Sequence, residues 1–403
     1  MKTPDFGPRT SDFLMHDAII IGGGPAGSSA AISLAKRGAR VLVLEEKRMP
    51  RGKLCGEFIT PECFPTLARL GVMDQMLAAG AQKITTVSLV VTSGKSVETH
   101  LSKMSDDAPW AMSLSRARFD QILFDRAREA GAQCLEAVVV KECLFENGAP
   151  RGVKALSLSD GRSVSFDAPL IIDASGRNSR LMVGRRERIA GRRGSRLYAM
   201  KAHLKGVEGI DHQVELCFFP QGYGGLARVE DGLVNLCFIV DERTLKSAGG
   251  NPSKVIELSL MNNRRARARL RKAEVSGKWH SAGPLTFGHR RLARDGVIAI
   301  GDASGMIDPF TGTGIQIALR TGEMVAEAIF ESMDSSAEHQ TLSASAVARY
   351  AARYEREFNR RMRTAGLLRV AAFSPAAARL MAGVLARAPK LASFVLRATR
   401  TRG

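Results

Sequence analysis

Three glycines, Gly22, Gly24 and Gly27, stand in G-x-G-x-x-G spacing within Ile21-Gly22-Gly23-Gly24-Pro25-Ala26-Gly27. Residues of this type and spacing give a tight turn, let the backbone approach a diphosphate, and let a helix pack closely on a strand. Glu45 follows about 20 residues on, where an acid at a strand end accepts hydrogen bonds from a ribose. Ten residues past Glu45 comes a thiol and then a carboxylate, in Cys55-Gly56-Glu57. A second acid, Asp302, closes the run Val297 to Gly301 and precedes the proline- and glycine-rich stretch that contains Gly312, Gly314 and Ile315. An acid there can hold a polyol hydroxyl, and the amides that open a helix after the loop can stabilise negative charge on a cofactor.

These groups work only if regular elements place them. The apolar run Asp17 to Ile21 reads as a buried parallel strand, the small residues after it as a helix to about Lys36, and Arg40 to Glu45 as a second strand. Val297 to Ile300 reads as a further strand and Gly314 to Ser332 as a helix. Between the two motifs the period changes. Val87–Val91, Tyr198–Leu204, Gln213–Phe219, Gly225–Val229 and Leu233–Val240 are short strand-like runs with turns at Gly206, Gly222 and Asp231-Gly232. The expected fold is α/β: a Rossmann-like nucleotide domain (residues 16–86, 114–182 and 286–335) interwoven with a mostly antiparallel β-sheet substrate domain (87–113 and 183–285), plus a C-terminal basic helical region (336–403). In Phe218-Phe219-Pro220-Gln221-Gly222-Tyr223, an aromatic strand end runs into a glycine loop. Phe218, Phe219 and Tyr223 therefore either line an apolar pocket or form a buried strand and its turn.

The pair of nucleotide motifs resembles the FAD-dependent oxidoreductases of the p-hydroxybenzoate hydroxylase fold, especially the geranylgeranyl reductase family and its monooxygenase relatives, over most of residues 16 to 335. Arg51 to Glu57 is similar to that family's cysteine-glycine turn beside the flavin, which implies a place near the ring for Cys55 and Gly56. Cys55 is there either a proton donor to substrate or a small residue packed under the ring. Ser115-Arg116-Ala117-Arg118-Phe119-Asp120 resembles the R-x-x-F-D signature, which implies that Arg116 meets the FAD phosphates. Val140 falls on the adenine side by the same resemblance, and Asp302, Gly314 and Ile315 fall at the ribityl chain and isoalloxazine. The central motif departs from the common hydroxylase form, with serine before the glycine in Asp173-Ala174-Ser175-Gly176. No second G-x-G-x-x-G follows a strand, so NAD(P)H would enter transiently or another electron donor would act. The W-x-W-x-I-P signature of the flavin-dependent halogenases is absent, Trp110 and Trp279 being the only tryptophans. The resemblance implies an FAD-dependent monooxygenase acting on a hydrophobic aromatic or polyketide-like molecule. A prenyl or lipid double-bond reductase is the alternative, and an electron-transfer or assembly flavoprotein a third.

Composition narrows the remaining classes. With 45% hydrophobic and 25% charged residues in 403, the chain is neither disordered nor a disulfide scaffold. Six scattered cysteines without a C-x-x-C pair indicate neither a metal site nor a redox disulfide, and suggest a reducing, cytoplasmic compartment. No apolar run approaches the roughly 20 residues of a spanning helix. Of the net charge of +19, more than half lies in residues 344–403, where twelve arginines and Lys390 face only Glu355 and Glu357. There Leu380, Met381, Val384, Leu385, Leu391, Phe394 and Val395 recur at helical spacing between the basic residues. That composition suits a helix on an anionic membrane surface, or one docked on the protein itself. Nucleic acid is not indicated, since Tyr350, Tyr354 and Phe358 fit a helix face rather than an interleaved stacking platform. Arg185–Arg196 and Arg264–Lys272 read as solvated faces.

Overall fold

In the computed structural model of the chain, residues 16–103, 108–181, 196–220, 222–334 and 342–372 are described. Five strands lie parallel, in the order Val297–Ala299, Leu170–Asp173, Ala18–Ile21, Val41–Glu45, Gln133–Glu136, with the antiparallel strand Ala293–Arg294 on one edge. The first four are built of alanine, valine, isoleucine and leucine up to the acids that end two of them, and are buried along their length because both faces are covered, whereas the edge strand Gln133–Glu136 is only partly buried. Ile20 and Val43 point to a helical layer, whereas Ile19, Leu42 and Leu44 point to a three-stranded meander of Val138–Glu146, Ala149–Ser157 and Ser163–Asp167.

The helical layer begins with Pro25–Ala35, which starts directly from the glycine turn with proline in its first turn and no acid there. Close packing requires small residues. Gly27 has no room for a Cβ, which would lie 1.9 Å from the Gly22 carbonyl oxygen, and one on Gly322 of the helix Gly314–Asp334 would lie 2.5 Å from the Ala26 oxygen. The helix Leu342–Ala372 lies against Gly314–Asp334. Tyr350, Tyr354 and Phe358, spaced by four, are buried in this interface, as a helix face should be. The apolar stripe and arginines from Arg379 onward lie outside the described residues.

The second sheet has seven strands, ordered Glu274–Ala282, Leu197–Lys205, Val234–Asp241, Gly222–Arg228, Gln213–Phe219, Thr86–Val90, Ser96–His100. It is antiparallel except where Gln213–Phe219 meets Thr86–Val90, a parallel pairing between distant parts of the chain. This pairing stitches the residues near 87 to those near 215. One face of the sheet carries Met200, Phe219, Leu236 and Phe238 into a core closed by the short helices between Glu242 and Leu270. Because strand side chains alternate, the residues between them face the other way, toward the nucleotide layer. The basic stretch Arg264–Lys272 is more than a solvated face: in the helix Arg264–Leu270, Arg269 forms a 2.9 Å ion pair with the fully buried Glu215, and Arg265 reaches the same carboxylate at 3.5 Å.

Candidate active site

The glycine turn is held from behind by a chain of charges. Glu45 accepts the Gly23 N–H at 2.8 Å and pairs with Arg51, which also reaches the buried Asp120 at 2.9 Å. Asp120 in turn grips Arg116 one helical turn back, through two hydrogen bonds of 2.6 and 2.9 Å. Gly22 has φ +105°, and a Cβ on it would meet the Ala174 oxygen at 2.6 Å, so only glycine fits the turn. In front of these groups the backbone faces free space. A Cβ on Gly56 or Gly314 meets nothing within 4 Å, and one on Gly24 meets only an Arg51 nitrogen at 3.6 Å. With the uncapped amide end of Pro25–Ala35, the open backbone at Gly24 fits a dinucleotide diphosphate.

Asp302 follows the strand Val297–Ala299, and desolvation pushes its carboxyl up against the pull of Lys53, Arg116, Arg177 and Arg290. Four cations therefore act on Asp302 through their charge. Gly312, at φ +66°, ends the loop before the helix Gly314–Asp334, and Ile315 is buried in the first turn of that helix. Val140 lies in the meander, packed against the far face of the parallel sheet. The departure at Ser175 has a local role: its N–H and hydroxyl both donate to Asp173, which also accepts the Ser179 hydroxyl.

The face of the seven-stranded sheet toward the nucleotide layer is divided. At one end Phe218, Tyr223 and Phe310 form an aromatic cluster with ring centroids 5.8–6.4 Å apart, and the Tyr223 hydroxyl donates to Asp308 at 2.8 Å. Phe219 does not belong to it, because strand alternation turns its side chain into the opposite core. The pocket expectation for this residue is corrected accordingly.

At the other end the face is polar, and here the sequence reading missed most of the site. Glu57 is fully buried. One of its oxygens accepts the Arg116 N–H at 2.7 Å and the Lys201 ammonium, and the other bonds His203 Nε2 at 2.6 Å. Burial alone would raise the Glu57 carboxyl, but the bond to His203 and the charge of Lys201 outweigh it and hold the pKa below the usual carboxylate range. Its own N–H donates to Cys55 Sγ at 3.3 Å, Asn235 donates to the Cys55 carbonyl, and Lys201 also donates to the Lys53 carbonyl. Cys55 is half-buried and lies beside the Arg116 guanidinium. Burial opposes the charge of Arg116, yet Asp120 and Cys55 raise its pKa overall. Arg116 is thus engaged by Asp120 and Cys55. His280, across the ladder from Lys201, stacks on Gly52, where a Cβ would meet its ring at 2.6 Å. A lysine and a histidine at alternate positions of Leu197–Lys205, where inward residues are otherwise apolar, were the legible signal.

Residues 15–354 match the FAD binding domain family, and the chain belongs to it. It is an FAD-dependent oxidoreductase by membership of that family. Among curated proteins it is 27% identical over 336 residues to the 1H-pyrrole-2-carbonyl-(peptidyl-carrier protein) brominase of Pseudoalteromonas luteoviolacea, covering 81% of this chain and 80% of the relative. It is 29% identical over 331 residues to the digeranylgeranylglycerophospholipid reductase of Methanothrix thermoacetophila, covering 79% and 78%. Among solved structures, the flavin-dependent brominase Bmp2 superimposes with a TM-score of 0.77 at 23% identity, over 96% of this chain and 93% of that one. A geranylgeranyl bacteriochlorophyll reductase-like protein of Thermoplasma acidophilum gives 0.72 at 20%, over 89% and 88%. Those structural likenesses establish the fold.

Proposed function

We propose that the protein reduces a carbon–carbon double bond in an apolar, prenyl- or lipid-like substrate. The observation that carries this reading is the buried Glu57–Lys201–His203 cluster joined to the Cys55 turn, on a sheet face whose other end is apolar. FAD, when bound, supplies the electron pair. The cradle at Gly22–Gly27 would hold its diphosphate, Glu45 its ribose, and Asp302 with the amides at Gly314 and Ile315 its ribityl and ring end. Adding an electron pair to a carbon–carbon double bond leaves a basic carbon, and the chain must then deliver a proton. Cys55 is placed to do so: its Sγ accepts the Glu57 N–H at 3.3 Å and lies beside the Arg116 guanidinium. The apolar end, with Phe218, Tyr223 and Phe310, would take the hydrocarbon. The reductases among the curated relatives support the reading. NAD(P)H or another soluble donor would reload the flavin.

A second reading, oxygenation of a hydrophobic aromatic molecule, is favoured by the same aromatic cluster, whose tilted rings suit edge contacts with another ring. The brominase and chlorinase relatives add halide as a variable to the test. The FAD-loaded protein is reduced under nitrogen and mixed with geranylgeranyl lipids or alkyl phenols, with and without oxygen and bromide, and products are weighed by mass spectrometry. A gain of two hydrogens without oxygen supports the reduction. A gain of one oxygen, or of bromine, only in air overturns it. Cys55→Ala, with FAD content unchanged, is expected to slow saturation by about 10²- to 10⁴-fold, the usual share of a positioned acid.

A further inference from the structure

Tyr223 stands on the central strand of the seven-stranded sheet, paired with Phe218 on one side and Ile239 on the other. Its hydroxyl leaves the sheet and donates to Asp308 Oδ1 at 2.8 Å, and both side chains are buried. Burial first, and then the Asp308 charge, raise the phenol well above its ordinary pKa, so Tyr223 stays the donor. The same Asp308 oxygen accepts the Phe310 N–H at 3.0 Å and caps the short turn Pro309–Thr311. Phe310 lays its ring back against Phe218 and Tyr223. The turn is thus attached to the sheet twice, by a hydrogen bond and by a ring. From there the chain is fixed as far as the next helix. The Thr311 hydroxyl meets the Asp308 carbonyl at 3.0 Å and the Thr313 hydroxyl at 2.9 Å, and the Gly312 N–H donates to the Pro309 carbonyl. Gly312, at φ +66°, passes so close to Phe58 that a Cβ would meet the ring at 3.0 Å. Two residues on, the helix Gly314–Asp334 begins, with the backbone of Gly314 open.

We propose that Tyr223 and Asp308 are a positioning pair, which ties the loop before the helix Gly314–Asp334 to the substrate sheet and so holds the Gly314 and Ile315 amides where they favour reduced over oxidised FAD. This rests on the placement of the FAD ring at those amides. The amides that open a helix favour negative charge, and reduction adds negative charge to the ring. Donors fixed in advance need no reorganisation when that charge appears, and hydrogen bonds to a charged acceptor are the stronger ones. Freeing the loop therefore weakens the hold on reduced FAD more than the hold on the oxidised form. A side chain of the substrate sheet would in this way set the potential of a cofactor bound by the other layer.

The test uses the FAD-loaded full chain without substrate, and reads the midpoint potential of bound against free FAD, which gives the preference for the reduced form. Tyr223→Phe keeps the ring and loses the hydroxyl. It is expected to lower the preference about tenfold, which is about 30 mV for a two-electron couple. Asp308→Ala, which removes the acceptor, should lower it at least as far. Asp308→Asn still accepts from Phe310 and Tyr223, and should stay within about twofold of the parent. Phe219→Leu, on the opposite face, controls for stability alone: the melting temperature falls and the potential stays. A Tyr223→Phe preference within twofold of the parent at equal FAD content overturns the pair. So does an Asp308→Asn shift as large as that of Asp308→Ala, which would assign the effect to charge. A tenfold shift with an oxygenated product would keep the pair and sink the reductase reading. An unshifted potential with a saturated product would do the reverse.

Discussion

At the scale of single residues the site is organised around Glu57. Its carboxylate is the only acid in contact with the buried Lys201 among the described residues. Removing one partner of a buried ion pair strands the other, at a cost of about 3–5 kcal/mol. Glu57→Gln is therefore expected to lower unfolding free energy by that order, read from urea titration, with Lys201→Met in the same background restoring much of it. A loss under 1 kcal/mol would show that water reaches the lysine. Asp120 plays a comparable part for the nucleotide side, since it joins Arg51 and Arg116. Part of this was legible in sequence: Glu45, the glycines and Cys55-Gly56-Glu57 stand out by type and spacing. Lys201 and His203 do not, because their partner lies some 145 residues away in the chain.

At the scale of elements, the strand Gln213–Phe219 shows how one residue of register decides a role. Phe218 and Phe219 are chemically identical and adjacent, yet one joins Tyr223 and Phe310 and the other packs with Met200 and Phe238. Phe219→Ala should cost about 3–5 kcal/mol of stability with substrate affinity kept. Phe218→Ala should leave the melting temperature within a few degrees and raise KM. Equal stability losses in the two variants would contradict the assignment of faces. Period-2 alternation was visible in the sequence, but its sign was not, since which face meets the flavin layer depends on the parallel pairing with Thr86–Val90.

At the scale of the molecule, two titrations at the site contribute to the acid side of the stability curve. Glu57 has a lowered folded pKa, so the stability it contributes is present above the ordinary carboxylate pKa and is lost as pH falls through the folded one. The His280 pKa is lowered by burial first and then by Lys201, so the folded protein resists its protonation. Stability is accordingly lost as pH falls from about 6.5, the ordinary histidine value, toward the lowered one. Melting temperatures between pH 7.5 and 5.5 should decline, and His280→Asn should flatten that decline; an unchanged slope would assign it to other groups. Among the described residues no helix is long and apolar enough to cross a membrane. The arginine-rich end is proposed to meet an anionic lipid surface. Sedimentation with anionic liposomes should fall at least tenfold on truncation before Ala376, and equal sedimentation would refute it.

Sequence alone determined the nucleotide-binding half, because its requirements are local: a turn that only glycine can make, an acid at the next strand end, small residues where helix meets strand. It also determined the existence and much of the extent of the second sheet, since alternation is a short-range pattern. The tertiary structure decided the chemistry at the sheet face. It brought a turn at residues 53–57, a helix start at 116 and strands near 201, 235 and 280 to one point. Burial there gathered an ordinary lysine and histidine onto one buried glutamate, because charges removed from water act strongly only on the partners they touch.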